Sequence, residues 1–413
     1  MEIHMMTPAQ AHELLSRHFR RGQIVSAPLQ QAAFRVLAQD LVSPCDLPRF
    51  TSSAMDGYAI HTADISTLPG KLKVVGTIAA GEASSLSFCP GETIRIMTGA
   101  MLPESAAAVI PQEEVRRLDL RTIAIEQTVC KGENLRFQGE EVKTGTVVMQ
   151  QGKQLLPGVL AHLASLGIFT VPVYTPPRIL IIPTGNELVQ EKKSLPPGKI
   201  FESSSFALCA ALQEFNVNVQ VLAPAADDRE KMRNILEEAL PRHDILLITG
   251  GVSDGAYDVV KEAAQACGVE TVFWKVAQKP GKPLYVGKKN RTILFGFPGN
   301  PAASLLCLYE YVRPYIRYFL GFKNLFLHEE KAWLTRSLQN TSDRTLFLRA
   351  HAQKKSETLW VTPLPSQASH MMHSFIDANC LITLPPGTSL FKAEEEIPIR
   401  WLPLTSRGEI YAD

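Results

Sequence analysis

The sequence predicts a multidomain α/β protein: an α/β domain built on a parallel sheet, a helical linker region and two β-rich domains. Three observations carry that prediction. The 413-residue length exceeds what one hydrophobic core usually organises. From residue 178 onward, apolar runs alternate with segments of helical period, the pattern of βαβ units. Residues 46–144 and the stretch after about 325 consist of short β-branched segments parted by glycine, proline and polar turns. The expected division is 1–45 with 145–175 as the helical linker region, 46–144 as a β-rich domain, 176–324 as the α/β domain and 325–413 as a C-terminal β domain.

Element by element, "TPAQAHELLSRHF" reads as a helix with Thr7 as its cap and Pro8 in its first turn. "QQAAFRVLAQDLV", residues 30–42, reads as a second helix. "KLKVVGTI", "ETIRIMTG" and "RTIAIEQTV" are strands of the first β domain. "QQGKQLLPGVLAHLASLGI" returns to helical spacing, and "VPVYTPPR" follows as a proline-rich linker. Then come the strand "RILIIPTG", the helix "SSSFALCAALQEF", the strand "VNVQVLAPA" and the helix "DREKMRNILEEAL". The strand "DILLITGG", the helix "YDVVKEAAQACG" and the strand "TILFGFPGNP" follow, the last leading into "AASLLCLYEYVRPYIRYFLG". "LFLRA", "LWVTPL", "CLITLPPG" and "EIPIRWLPL" are strands of the final domain.

Hydrophobic content of 45% and charged content of 20% describe an ordinary globular chain, and a net charge of +1 supplies no field for nucleic acid or an anionic membrane. "MEIHMMTPAQ" lacks the basic start and apolar core of a signal peptide, and no run is long enough to span a bilayer. Seven cysteines without a Cys-x-x-Cys pair fit reduced thiols in the cytoplasm.

In an open α/β sheet ligands bind beyond the carboxyl ends of the strands. Three strands here end in polar, glycine-bearing signatures, "IIPTGNEL", "LLITGGVSDGAYD" and "LFGFPGNP", which a parallel sheet gathers at one edge. In the second, Gly250 and Gly251 free the backbone to cradle a phosphate, and Ser253 and Asp258 add polar groups. "KVAQKPGKPLYVGKK" holds five lysines; the prolines around Lys279 and Lys282 restrict the loop so that the pair can clamp an oxyanion. Glu187 follows the strand "RILIIPTG", Asp227 and Asp228 follow "VNVQVLAPA", and Asp258 follows "DILLITGG". Close carboxylates need a cation, and oxygen donors beside phosphate favour Mg²⁺, with Asp228 and Asp258 as its ligands. Asp56 stands in a turn within "SSAMDGYAI", Thr98 in "IMTGA", and Arg136, Glu140 and Glu141 in "NLRFQGEEV". Taken singly, each of these is also an ordinary turn or helix cap. "HMMH" (His370, His373) has no third metal ligand nearby.

"SAMDGYAI", "IRIMTGA", "PTGNEL", "GGVSDGAYD", "KPGKP" and "GFPGNP" occur in the order and spacing of the molybdopterin molybdenumtransferases, the MoeA family that includes the gephyrin E domain. The resemblance runs over nearly the whole chain, down to "SQASHMMHSF". It implies a molybdopterin-binding α/β domain and insertion of molybdenum from molybdate into adenylylated molybdopterin, with release of AMP and a requirement for Mg²⁺. It further implies a homodimer whose site lies between the α/β domain of one subunit and the β domain of the other, and contact with other molybdenum cofactor proteins. Carried over by motif, Glu187, Asp228 and Asp258 match carboxylates of the pterin-nucleotide site. Lys279 and Lys282 match the basic pair, Pro298 and Pro301 the lining turn that Asn300 orders, Asp56, Thr98 and Arg136 the partner subunit's contribution, and Ser369 that of the C-terminal domain. The chain departs from the usual pattern at Glu141 (aspartate), Glu202 and Ser204 (aspartate and asparagine), Ala368 (glycine), and Thr51 and Ser52 (an aspartate–asparagine pair). Two other readings use the same motifs: a molybdopterin adenylyltransferase, which shares the α/β module, and a carrier or scaffold that binds without turnover.

Overall fold

The computed structural model describes residues 5–82, 86–190, 195–252, 259–387 and 390–403. They fall into two units, residues 26–173 and residues 1–25 together with 174–413. Thr7 caps α1 (Pro8–Ser16) in a reciprocal box with Gln10, and Pro8 occupies the first turn, where a missing N–H is harmless. Ala11 and Leu15 bury the inner face of α1 in the core of the α/β sheet.

In the unit 26–173, residues 30–42 do not form the expected helix. After one 3₁₀ turn (Leu29–Gln31), Phe34 adopts a φ of 63° and Leu41–Val42 pairs with Val147 and Met149. The amides of Phe34, Leu37 and Ala38 donate to the carbonyls of Leu155, Lys153 and Pro172. Leu29, Ala32 and Leu37 meanwhile pack with Leu163 and Val173. Tertiary partners have outcompeted a helix whose propensity is only a weak prior. Residues 145–175 hold one helix, α2 (Pro157–Ser165), and the proline-rich stretch expected as a linker begins as the strand Thr170–Tyr174. The main sheet runs in the order Ala106–Pro111, Gly57–His61, Glu92–Ile96, Gly70–Ile78, Thr122–Ile125, Val115–Arg117.

The α/β sheet of the other unit runs Val219–Val221, Ile179–Pro183, Ile245–Thr249, Thr292–Phe297, Tyr285–Lys289, Glu270–Trp274. The first four strands are parallel, as expected; Tyr285–Lys289 runs against them and Glu270–Trp274 pairs antiparallel to it, so the sheet is mixed. The central strands are buried on both faces, which is why they read as unbroken apolar runs. Ile179, Ile181, Ile245 and Leu247 pack with α3 (Ser204–Leu212) on one face. Leu180, Ile182, Leu246 and Ile248 pack with α4 (Arg229–Ala239) and α5 (Val259–Ala266) on the other. The lysine-rich run is split by this topology. Lys288 and Lys289 belong to the Tyr285–Lys289 strand, whose antiparallel course carries them away from Lys279 and Lys282.

The segment after the last parallel strand is not one continuous helix. It is α6 (Pro301–Cys307), a π turn (Leu308–Val312) and α7 (Arg313–Phe319), and Pro314, which has no N–H for the regular ladder, sits just past the π turn. In the C-terminal part, Thr345–Lys355, Thr358–Pro363, Glu329–Leu334, Glu396–Trp401 and Cys380–Leu384 pair in a closed ring. Gln278–Lys279 adds to that ring as a parallel edge strand against Thr345 and Leu346. No helix among the described residues is long and apolar enough to cross a membrane.

Candidate active site at the carboxyl edge of the α/β sheet

Pro183 pairs with Thr249, and Thr249 with Phe297, so the three glycine-bearing turns start level with one another. They are also bonded together. The amide and hydroxyl of Thr184 donate to the Thr249 carbonyl (2.8 and 3.0 Å), and the Gly250 amide donates to the Phe297 carbonyl (3.0 Å). Gly250 has a φ of +90°, and a Cβ there would lie 2.4 Å from the Thr184 carbonyl oxygen. No side chain fits. Gly251, at φ +65°, would press a Cβ within 2.8 Å of Val260. Ser253 and Asp258 lie outside the described residues.

Glu187 is exposed, and its carboxylate lies over Gly185, whose Cβ, if present, would sit 2.6 Å from Oε2. Among the described residues this carboxylate has no hydrogen-bonding or ionic partner. Asn186 and Asp227 exchange bonds, Asn186 N donating to Asp227 Oδ2 (3.1 Å) and Asp227 N to Asn186 Oδ1 (3.3 Å), which ties the first turn to the second. Asp228 caps α4, its Oδ1 accepting the Lys231 amide at 2.9 Å, and leaves one oxygen uncommitted.

The Pro298–Pro301 turn is held from below by Ser304, a fully buried hydroxyl that donates to the Pro298 carbonyl at 2.6 Å. Asn300 Nδ2 donates to Ser369 Oγ (3.1 Å), so the C-terminal part reaches the same turn. The loop carrying Ser369 is in turn fixed by Arg349, 1% exposed, which donates to the carbonyls of Ser366 (2.8 Å) and Ala368 (3.2 Å). Burial pushes the Arg349 guanidinium down to about 10. Lys279 is exposed and has no partner among the described residues. Lys282 gives its carbonyl to the amides of Val276 and Leu284. Level with Gly296, the ring of Trp274 is flanked by Lys261 at 3.6 Å and Lys275 at 4.1 Å, two further cations at this edge.

In the unit 26–173, three motifs converge. The amide and hydroxyl of Thr98 both donate to Asp56 Oδ1 at 2.7 Å, and these bonds, with help from Arg95, hold the Asp56 carboxyl below the usual carboxylate range. Arg136 pairs with Ser52 through the backbone, and its exposed guanidinium has no partner among the described residues. Glu141 is not part of this group; its carboxylate lies 3.5 Å from His162 of α2. Of the other departures, Glu202 is buried and accepts the Ser205 amide (2.9 Å) and hydroxyl, capping α3.

Ser304 and Arg349 escaped the sequence reading. Ser304 had a signal, a hydroxyl residue one turn into the helix after Pro301; Arg349 sits in an apolar strand and had none. Asp228 and Glu187 offer only oxygen donors, the set suited to Mg²⁺, though no group of three His, Cys, Asp or Glu side chains gathers among the described residues.

Level glycine turns, the Lys279 ammonium without a partner among the described residues and an uncommitted Asp228 oxygen lie at the carboxyl edge of the sheet, where open α/β folds bind their ligands. Residues 6–167 match the MoeA N-terminal region (domain I and II), 180–318 a probable molybdopterin binding domain and 331–401 the MoeA C-terminal region (domain IV). The chain is 36% identical to molybdopterin molybdenumtransferase 2 of Mycobacterium tuberculosis (strain ATCC 25618 / H37Rv), covering 92% of this chain and 96% of that one. It is 34% identical to the molybdopterin molybdenumtransferase of Staphylococcus aureus (strain Mu50), covering 91% and 90%. Two crystal structures of the molybdopterin biosynthesis MoeA protein of Pyrococcus horikoshii superpose with TM-scores of 0.84 and 0.77 at 28% identity. They cover 96% of this chain and 99% and 100% of theirs. The chain belongs to the MoeA family.

Proposed function

We propose that this protein is a transferase of molybdenum cofactor biosynthesis, a molybdopterin molybdenumtransferase that inserts molybdenum from molybdate into adenylylated molybdopterin and releases AMP. The observation that carries the reading is the level row of turns at the carboxyl edge, with Lys279 partnerless among the described residues and Ser369 bonded to Asn300 in the same turn. Molybdate is an oxyanion and calls for fixed cations and N–H donors, the role given to Lys279 and Lys282. Gly250, Gly251 and Ser253 cradle the phosphates, and Pro298, Asn300, Pro301 and Ser369 shape the pterin side. The pyrophosphate bond breaks by in-line attack of an oxygen nucleophile on phosphorus, with AMP as the leaving group. Glu187, Asp228 and Asp258 would hold Mg²⁺, which when bound neutralises charge on the two phosphates. The dithiolene sulfurs of the substrate, soft donors, take the molybdenum.

The proposal includes a cytoplasmic homodimer in which Asp56, Thr98 and Arg136 of one subunit complete the site of the other. Purified protein supplied with adenylylated molybdopterin, molybdate and Mg²⁺ is expected to release AMP and yield active cofactor. Absence of both products, or ATP consumption with molybdopterin alone, overturns the assignment; tight binding without turnover makes the protein a carrier.

A further inference from the structure

The loop that presents Lys279 and Lys282 rests on a buried polar network that the family reading leaves without a role. Gln278, the residue before Lys279, is 0% exposed. Its backbone is pinned in the short edge strand against Thr345 of the C-terminal ring. Its side-chain amide points inward, under the loop. Nε2 donates to the Gly281 carbonyl (3.3 Å) and lies 3.7 Å from Cys307 Sγ, while Oε1 accepts the hydroxyl of Tyr311. Gly281 closes over it at φ +96°, and a Cβ there would meet Gln278 Nε2 at 2.5 Å and Cys307 Sγ at 2.8 Å. Cys307 ends α6, the helix that starts at Pro301, and Tyr311 lies in the π turn after it; both are 0% exposed.

Every hydrogen-bonding group of this amide is thus engaged. A buried polar network so satisfied contributes geometric specificity more than net stability, because the same bonds are available to water in the unfolded chain. The geometry it specifies is local. The Gly281 carbonyl belongs to the peptide that leads into Lys282, while Gln278 itself precedes Lys279, and the Cys307 contact references the loop to the helix that follows the Pro298–Pro301 turn. Apolar packing could fill the same space, yet it would leave the Gly281 peptide free to rotate.

We propose that Gln278 is a positioning residue: through the Gly281 carbonyl, Cys307 and Tyr311, it sets the spacing of Lys279 and Lys282 and so the affinity for the oxyanion. The proposal rests on the assignment of those lysines to molybdate, and its test separates the two. In Gln278→Met, which keeps the volume and removes both polar ends, KM for molybdate is expected to rise about tenfold with kcat within about twofold, since a small misplacement of a charge weakens binding steeply. Tyr311→Phe, which removes one bond to Oε1, is the second variant and is expected to raise KM by about threefold. Direct titration with molybdate, read by calorimetry on the homogeneous protein without pterin, should show the same ranking. Lys279→Ala serves as the reference. If neither wild type nor Lys279→Ala binds molybdate, the functional assignment fails. If Lys279→Ala loses binding while Gln278→Met and Tyr311→Phe bind as wild type, the assignment stands and the positioning role is wrong. A fall in melting temperature with unchanged KM also refutes it, since that is what a merely structural amide would give.

Discussion

Both ends of the α/β sheet carry charged side chains, and they use them differently. At the amino end, a cleft of about 850 Å³ is lined by Arg20, Arg178, His243, Asp244 and Arg291 among others. Several of its charges answer one another. Arg20 bonds Asp244 at 2.6 Å, Arg178 reaches the same carboxylate through its amide and guanidinium, and Thr292 donates to the carbonyls of Leu240 and His243 at the end of α4. Helices between parallel strands point their carbonyl ends, the negative pole of the dipole, to this side, so cations here complement the fold. At the carboxyl end the helix amino ends face the ligand side, and Glu187 and Lys279 stand partnerless among the described residues.

The strongest way to break this contrast is to remove the backbone freedom of the carboxyl edge. Gly250→Ala places a Cβ 2.4 Å from a carbonyl oxygen that cannot move without its strand. We expect a loss of about 3 kcal/mol of stability and no measurable AMP release, read by denaturant melts and turnover assays. An unchanged melt would mean that the turn does not have the conformation described.

Lys279→Ala separates function from fold. An exposed ammonium without a partner contributes little to stability, whereas one fixed cation on a reacting oxyanion is worth about a hundredfold in rate. Molybdate-dependent turnover should fall by about that factor with an unchanged melting temperature. Asp244→Asn is the converse at the amino edge. It should cost about 1–2 kcal/mol, because two guanidinium groups lose the carboxylate charge and one of its two acceptor oxygens in a cleft open to solvent, and it should leave kcat and KM alone. Burial alone would raise the Asp244 carboxyl, but the bonds from Arg178 and Arg20 outweigh it and hold the group below its ordinary 3.8. A depressed folded-state value means the stabilisation is complete above about pH 4 and is lost as pH falls through the lower folded value. The stability gap between wild type and Asp244→Asn should accordingly narrow in acid and persist at neutral pH.

Much of this contrast was legible in the sequence, because it is written in backbone terms. Double-sided burial makes the central strands continuous apolar runs, "PTG" and "PGNP" mark turns, and the glycines of "TGG" hold a backbone that no side chain fits. The charged features were legible in part. In "KVAQKPGKPLYVGKK" the flanking prolines single out Lys279 and Lys282, but nothing in the run announces the strand reversal that sends Lys288 and Lys289 toward the amino end. Residues 30–42 misled for a related reason: their apolar spacing is helical, while their amides are spent on Leu155, Lys153 and Pro172 far along the chain. Gln278 and Arg349 were invisible, since a buried polar residue acquires its meaning only from partners that sequence spacing does not name.

The smallest expected effect lies in the unit 26–173, where hydrogen bonds from Thr98, more than the charge of Arg95, compensate Asp56. Thr98→Val keeps the shape and the 2.7 Å bond from the amide and removes the second bond from the hydroxyl. The Asp56 carboxyl should then titrate at a higher pH than in wild type, which carbon-detected NMR of the side chain can follow. Because Asp56 stays ionised at neutral pH in either case, turnover at pH 7 should fall only about threefold, the modest worth of one hydrogen bond to an exposed charge. The penalty should grow in acid, where the variant protonates first. An equal penalty at all pH values would show that Thr98 acts through contact with substrate and that the ionisation of Asp56 plays no part in it.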